Sequence, residues 1–177
     1  MKQQEGFFKG VRGANIYFQS WFPESEPKAV LLIVHGLAEH SGRYRNVVDR
    51  FVPLGYAVYG IDHFGHGKSD GTRVYVERFN DYTNTLKVYF DMMRGWQPDK
   101  PVFLVGHSMG GLISAVYLLD HQAELAGAQR LFDGVGSADK EIRIYDGLYH
   151  EVFNEPEHDK VLRDIEIWLE AHLGPRK

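Results

Sequence analysis

The sequence predicts an α/β fold: a mostly parallel sheet with helices on both faces. Three observations carry that expectation. Strand-like and helix-like patterns alternate along the chain. Ala29-Val30-Leu31-Leu32-Ile33-Val34 and Tyr56-Ala57-Val58-Tyr59-Gly60-Ile61 are nearly unbroken apolar runs, as expected of strands covered on both faces. Finally, Val102-Phe103-Leu104-Val105 leads into Gly106-His107-Ser108-Met109-Gly110 and at once into an apolar helical segment, giving the order strand, sharp turn, helix.

Phe7 to Lys9 and Ala14 to Phe22 are predicted strands around the turn Gly10-Val11-Arg12-Gly13, rich in β-forming aromatics. After a polar loop, the Ala29–Val34 strand ends in His35-Gly36-Leu37-Ala38-Glu39-His40. Ser41 is a candidate cap for a helix whose Tyr44, Val47, Val48 and Phe51 fall at i, i+3, i+4 and i+7. Pro53 and Gly55 close it. The Tyr56–Ile61 strand runs into the glycine-rich turn Asp62 to Gly71, and a helix is predicted over 81–95 with Tyr82, Leu86, Tyr89, Phe90 and Met93 on one side. The helix after Ser108 carries Leu112, Ile113, Ala115, Val116, Leu118 and Leu119, so little of it is polar and burial all round is expected. A last strand is predicted over Glu141–Tyr145. Asn154, with Glu157 three residues on, is a candidate cap for a closing helix with the stripe Val161, Leu162, Ile165, Trp168 and Leu169.

The 177 residues suit one domain, 1–177, with one substantial core. Hydrophobic content of 44% with 25% charge is ordinary for a soluble globular protein, and a net charge of −4 gives no electrostatic case for nucleic acid. No apolar run reaches the ~20 residues that span a bilayer, and Met1-Lys2-Gln3-Gln4-Glu5 lacks a signal-peptide core. A cytoplasmic protein is the default expectation. Without cysteine there is no disulfide, thiol nucleophile or Cys-based metal site.

The chemistry centres on Ser108. A serine on a strained strand-to-helix turn leaves no room for side chains at Gly106 and Gly110, and presents its hydroxyl above the sheet. The same five residues also occur as a tight turn bearing a solvated serine; the strand before and the helix after favour the nucleophile. A serine hydroxyl needs a base. Alternation turns His107 away from Ser108. His35, His40, His63 and His66 flank glycine turns, where structural hydrogen bonding is the ordinary role, and His121, His158 and His172 fall on predicted helices. His150 combines a loop after the last strand with the chain order serine first, histidine last. Attack on an acyl carbonyl makes an oxyanion that backbone N–H groups must stabilise, and Met109 and Leu37 are the candidate donors. No cofactor is implied. His63-Phe64-Gly65-His66 has no further ligand at fixed spacing, and His150-Glu151 meets Asn154 where a second histidine would be needed, so no metal site is expected.

Those residues resemble the α/β-hydrolase superfamily, and more narrowly the monoacylglycerol lipase and lysophospholipase group of serine hydrolases. The resemblance rests on His35 to Tyr44, Asp62 to Gly71, Gly106 to Gly111 and Ile144 to Glu151. It implies hydrolysis of glycerol-lipid monoesters through a Ser108 acyl-enzyme, with His150 as base and then acid, Leu37 and Met109 as oxyanion donors, and a small lipid ester as substrate.

The departure from that group is internal. Its members carry a further strand, a helical cap and an acid-bearing strand between the helix after the nucleophile and the histidine strand. Here Ala123 to Ala128 resembles the start of the first piece, and Gln129 to Gly136 resembles the helix end beyond the last. The two are joined near Ala128-Gln129, so a reduced fold is expected. Asp133, Asp139 and Asp146 keep the order serine, acid, histidine, but none matches the position of the triad acid. A missing cap exposes apolar surface, which leads to an expectation of peripheral lipid contact and of self-association or strand exchange between chains. The alternative to an active esterase is a catalytically impaired chain on the same fold.

Overall fold

A computed structural model describes residues 1–120, 143 and 145–174. Its strands are β1 (Lys2–Lys9), β2 (Asn15–Phe22), β3 (Ala29–Val34), β4 (Tyr56–Ile61) and β5 (Val102–Gly106). Its α-helices are α1 (Arg45–Phe51), α2 (Asn80–Trp96), α3 (Met109–Asp120) and α4 (His158–His172). The strands form one sheet in the order β1-β2-β4-β3-β5. β3 lies parallel to both β4 and β5. The hairpin β1–β2 is antiparallel, and β2 pairs antiparallel with β4, so the sheet is mixed. A connection as short as Gly10–Ala14 allows no parallel crossover. β1 begins at Lys2, ahead of the predicted Phe7. Lys2 to Glu5 are exposed and polar, and pairing of Lys2 to Glu5 with Phe22 to Gln19 carries them.

Every residue of β3 and β4 is buried, and the side chains alternate between two cores. Val30, Leu32 and Val34, with Ala57, Tyr59 and Ile61, face α2 (Leu86, Tyr89, Met93) and α3 (Ile113, Tyr117, Leu118). Leu31 and Ile33, with Tyr56 and Val58, face α1 (Val47, Val48, Phe51) and α4 (Val161, Leu162, Leu169). Helices therefore cover both faces, as the alternating pattern predicts.

Three local expectations need correction. Ser41 does not cap α1: it opens a 3-10 turn, Ser41–Tyr44, and its hydroxyl donates instead to Asp62 Oδ1 at 2.6 Å. Asn154 does not cap the last helix, which starts at His158 behind Glu157; the Asn154 N–H closes a turn on the Glu151 carbonyl. α3 is not buried all round. Leu112 is 57% exposed and Ala115 is exposed, because β5 lies at the edge of the described sheet and leaves the outer flank of α3 bare. Of the expected strand Glu141–Tyr145, residues Glu141, Ile142 and Ile144 lie outside the described residues, as do Ala128-Gln129, Asp133 and Asp139.

Candidate active site

Ser108 stands between the last residue of β5 and the first of α3 with φ +52°, in the left-handed region that a residue with a Cβ seldom enters. Its side chain is exposed while His107 beside it is buried. Its carbonyl accepts the Gly111 and Leu112 N–H groups at 3.0 and 3.4 Å, which starts α3 beneath it. A Cβ on Gly110 would lie 1.9 Å from the Val34 carbonyl oxygen, and one on Gly106 would lie 2.8 Å from the Gly110 oxygen. Both glycines are therefore demanded by backbone, as the sequence predicts for a strained elbow.

The loop after β3 is fastened to this elbow. Val34 is in register with Gly106, and the His107 N–H donates to the Val34 carbonyl at 3.1 Å. A Cβ on Gly36 would meet His107 Nδ1 at 3.1 Å. Leu37 and Ala38 form the turn of that loop, and Ala38 has φ +58°. Among the described residues, no acceptor takes the N–H of Leu37 or of Met109. Both candidate oxyanion donors thus keep their protons available on the two segments that meet at Ser108.

Buried polar groups tie these loops together. The His35 Nδ1–H donates to the Gly36 carbonyl at 2.7 Å, so its Nε2 is free to accept the His63 N–H at 2.9 Å. Burial pushes the His35 imidazole down to about 4. Asp62 accepts from the Ser41 N–H and hydroxyl through Oδ1, and from the Lys68 N–H through Oδ2 at 2.8 Å. Gly67, at φ +49°, admits that last contact: a Cβ there would sit 1.9 Å from Asp62 Oδ2. The sequence assigns His35, His40, His63 and His66 to structural hydrogen bonding; the His35 and His66 rings make such bonds, His66 Nδ1 pairing with the Phe64 carbonyl at 3.0 Å, whereas His63 takes part through its backbone N–H.

His150 reaches the elbow through its backbone. His107 Nε2–H donates to the His150 carbonyl at 2.8 Å, and the two rings lie 4.9 Å apart between centroids. No hydrogen bond joins the His150 imidazole to Ser108 or to a carboxylate among the described residues. Asp146 is exposed and makes no bond to His150. The residues that sequence reasoning missed are those beneath this loop. Glu39, buried, meets His107 Nδ1 at 2.7 Å; Arg43 pairs with Glu151 at 2.5 Å; Asn46 Nδ2 donates to the Phe153 carbonyl at 3.0 Å. Burial, reinforced by the charge of Glu39, holds the Tyr44 phenol well above its ordinary range. Glu39 and His107 are 68 residues apart, and no spacing pattern links them.

The serine aminopeptidase S33 family matches residues 25–128. The monoacylglycerol lipase of Mycolicibacterium smegmatis is 26% identical over 275 aligned positions, which take in 97% of this chain and 98% of that protein. This chain has 177 residues, so a long internal stretch of that relative has no counterpart here. Monoglyceride lipase of Homo sapiens is 36% identical over 115 residues, covering 65% of this chain and only 38% of that protein. A solved structure described as a predicted CIB-like hydrolase from Thermoplasma acidophilum superposes with a TM-score of 0.72 at 16% identity, covering 96% of this chain and 98% of that one. At that identity the likeness concerns the fold alone. With the family match spanning more than half of the chain, and with the elbow and sheet described above, this chain belongs to the serine aminopeptidase S33 family of α/β-hydrolase-fold serine hydrolases.

Proposed function

We propose that this chain is a serine carboxylester hydrolase of the monoacylglycerol lipase and lysophospholipase type, acting on glycerol-lipid monoesters through an acyl-enzyme on Ser108. The observation that carries the reading is the elbow: an exposed serine at φ +52° between glycines that cannot bear a Cβ. Such strain is retained where it aims a reacting group. Ser108 Oγ attacks the ester carbonyl as His150 takes its proton, and the oxyanion rests on the Leu37 and Met109 N–H groups. The C–O bond to glycerol then breaks, and His150 returns the proton to the leaving alkoxide. Water, deprotonated by His150, attacks the acyl carbonyl and releases the fatty acid and Ser108. The lipase names of the Mycolicibacterium and human relatives supply the substrate class. Leu37, Leu112 and Tyr149, each more than half exposed, sit on the segments around Ser108 and offer apolar surface to an acyl chain or a lipid surface.

The chain is proposed to be a single domain, 1–177, in which family-distant segments meet near 128–129. The family match ending at 128 supports that junction. A second reading, a catalytically impaired hydrolase, rests on one observation: no described carboxylate hydrogen-bonds the His150 imidazole. An imidazole lacking its acid can lose about 10⁴-fold in turnover.

Labelling with a fluorophosphonate probe, followed by peptide mass mapping, tests the proposal. One adduct on the Ser108 peptide is expected, with none in Ser108→Ala, together with fatty-acid release from monoacylglycerol. Folded protein that takes no label on Ser108 refutes it. Labelled protein that turns over esters only about 10⁴-fold below an acid-assisted triad supports the impaired reading.

A further inference from the structure

The segment carrying His150 is fastened at three nearby points. His107 holds the carbonyl of residue 150, Arg43 the side chain of residue 151, and Asn46 the carbonyl of residue 153. The Arg43–Glu151 pair is exposed, and such pairs contribute little. The His107 bond differs, because its donor is only 8% exposed and is itself held by a carboxylate that is 7% exposed.

The protons of that arrangement follow from the partners. A carbonyl oxygen only accepts, so His107 Nε2 must carry a hydrogen. Nδ1 lies 2.7 Å from Glu39 Oε1, so the carboxyl holds the second ring nitrogen and with it the rotation of the ring. With Nδ1 held there, Nε2 points at the His150 carbonyl. A ring without that carboxyl is free to rotate about its broad χ2 torsion and turn Nε2 off the carbonyl, breaking the anchor.

We infer that Glu39 and His107 are positioning residues for His150: Glu39 fixes the orientation of the His107 ring, and His107 fixes the backbone of residue 150 beside Ser108. The inference rests on His150 being the base in the proposed reaction. The pair acts on the backbone and not on the imidazole, so it does not replace a triad acid. It sets where the imidazole starts from, and a displacement of about 1 Å in such a group can cost about 10²-fold.

The test compares ester kcat and KM, and the rate of Ser108 labelling by the fluorophosphonate, per folded molecule. The variants are His150→Ala, Glu39→Ala, His107→Leu, Glu39→Gln and His107→Gln. Glu39→Ala and His107→Leu are expected to lower kcat and labelling by about 10- to 100-fold while KM moves less than about threefold. Glu39→Gln can donate to Nδ1 and preserve Nε2–H; His107→Gln keeps an N–H for the His150 carbonyl. Both are expected to stay within about threefold of the parent. A purely structural role would lower the folded fraction and leave the rate per folded molecule alone, with no rescue by glutamine. Folded Glu39→Ala at the parental rate, or glutamine variants as slow as the truncated ones, overturns the inference. Should His107→Leu fail to fold, the Glu39 pair decides. His150→Ala separates the two levels. If it labels and turns over like the parent, the base assignment falls and takes this inference with it; if it is slow while Glu39→Ala is not, the positioning role alone is wrong.

Discussion

Gly110→Ala is expected to prevent this chain from reaching its native fold. The added methyl would lie 1.9 Å from the Val34 carbonyl oxygen, 2.5 Å from the Val34 carbonyl carbon and 2.6 Å from the His35 carbonyl oxygen. All three are backbone atoms, so no rotamer change relieves the clash. Relief would require α3 to lift off β3, which breaks the Val34–Gly106 register and the His107 N–H bond to Val34. A loss of about 4 kcal/mol or more is expected, a large part of the ~5–15 kcal/mol that keeps a domain folded. Gly111→Ala is the control. A Cβ there meets nothing closer than the Gly106 oxygen at 3.7 Å, an ordinary contact, and alanine favours the helix by about 0.4–1 kcal/mol. Urea unfolding of the two variants beside the parent decides the matter. Equal midpoints for Gly110→Ala and Gly111→Ala would mean that the elbow is not packed against β3 as described.

The same comparison marks what the sequence makes legible. β3 and β4 begin and end where their apolar runs do, because both faces are buried and nothing polar interrupts the run until the strand stops. Ser108 is legible for a similar reason: its backbone conformation follows from glycines two residues to either side. Features that depend on distant partners are not legible. Ser41 has the chemistry and place of a helix cap, yet Asp62, 21 residues on, is a better acceptor for its hydroxyl. α3 has the composition of a fully buried helix, but composition does not say that its strand lies at the edge of the described sheet. Local alternation turns His107 away from Ser108, which is where it lies. That Glu39 waits for it there is a consequence of the β3–β5 register and of nothing local. The acid is the extreme case, since chain order admits Asp133, Asp139 and Asp146 while only geometry could choose. Asp146 is exposed without a bond to His150, and the other two lie outside the described residues.

The loops that frame Ser108 are expected to make the fold acid-labile. His35 and His63 are buried, their rings 4.1 Å apart, with His66 5.3 Å from His35. Burial lowers His35 to about 4, with the Gly36 carbonyl opposing and His66 adding to it. Burial also holds His63 well below its ordinary value, with the charges of His35 and His66 adding to the effect and the His35 backbone offsetting only part of it. An unfolded chain takes up protons on these rings near pH 6.5, whereas the folded chain refuses them until about pH 4 on His35. In that window the unfolded state binds more protons, so stability rises with pH and is lost as pH falls. His35 alone accounts for about 3 kcal/mol between pH 6.5 and 4, and His63 adds to it in the same direction. The measurement is the urea midpoint as a function of pH, with His63→Leu beside the parent. Among the described residues neither His63 ring nitrogen has a hydrogen-bond partner, so leucine removes a titrating group without orphaning another of them. Near pH 7.5 the variant should be as stable as the parent or more so, and its midpoint should fall less steeply below pH 6.5. Parallel curves for the two proteins would place the acid sensitivity outside this cluster. The cluster joins the end of β3 to the loop after β4, and the β3 end carries Leu37. Charging these rings should therefore disturb one wall of the site before the sheet gives way, and Ser108 labelling should fall at a higher pH than the loss of secondary structure.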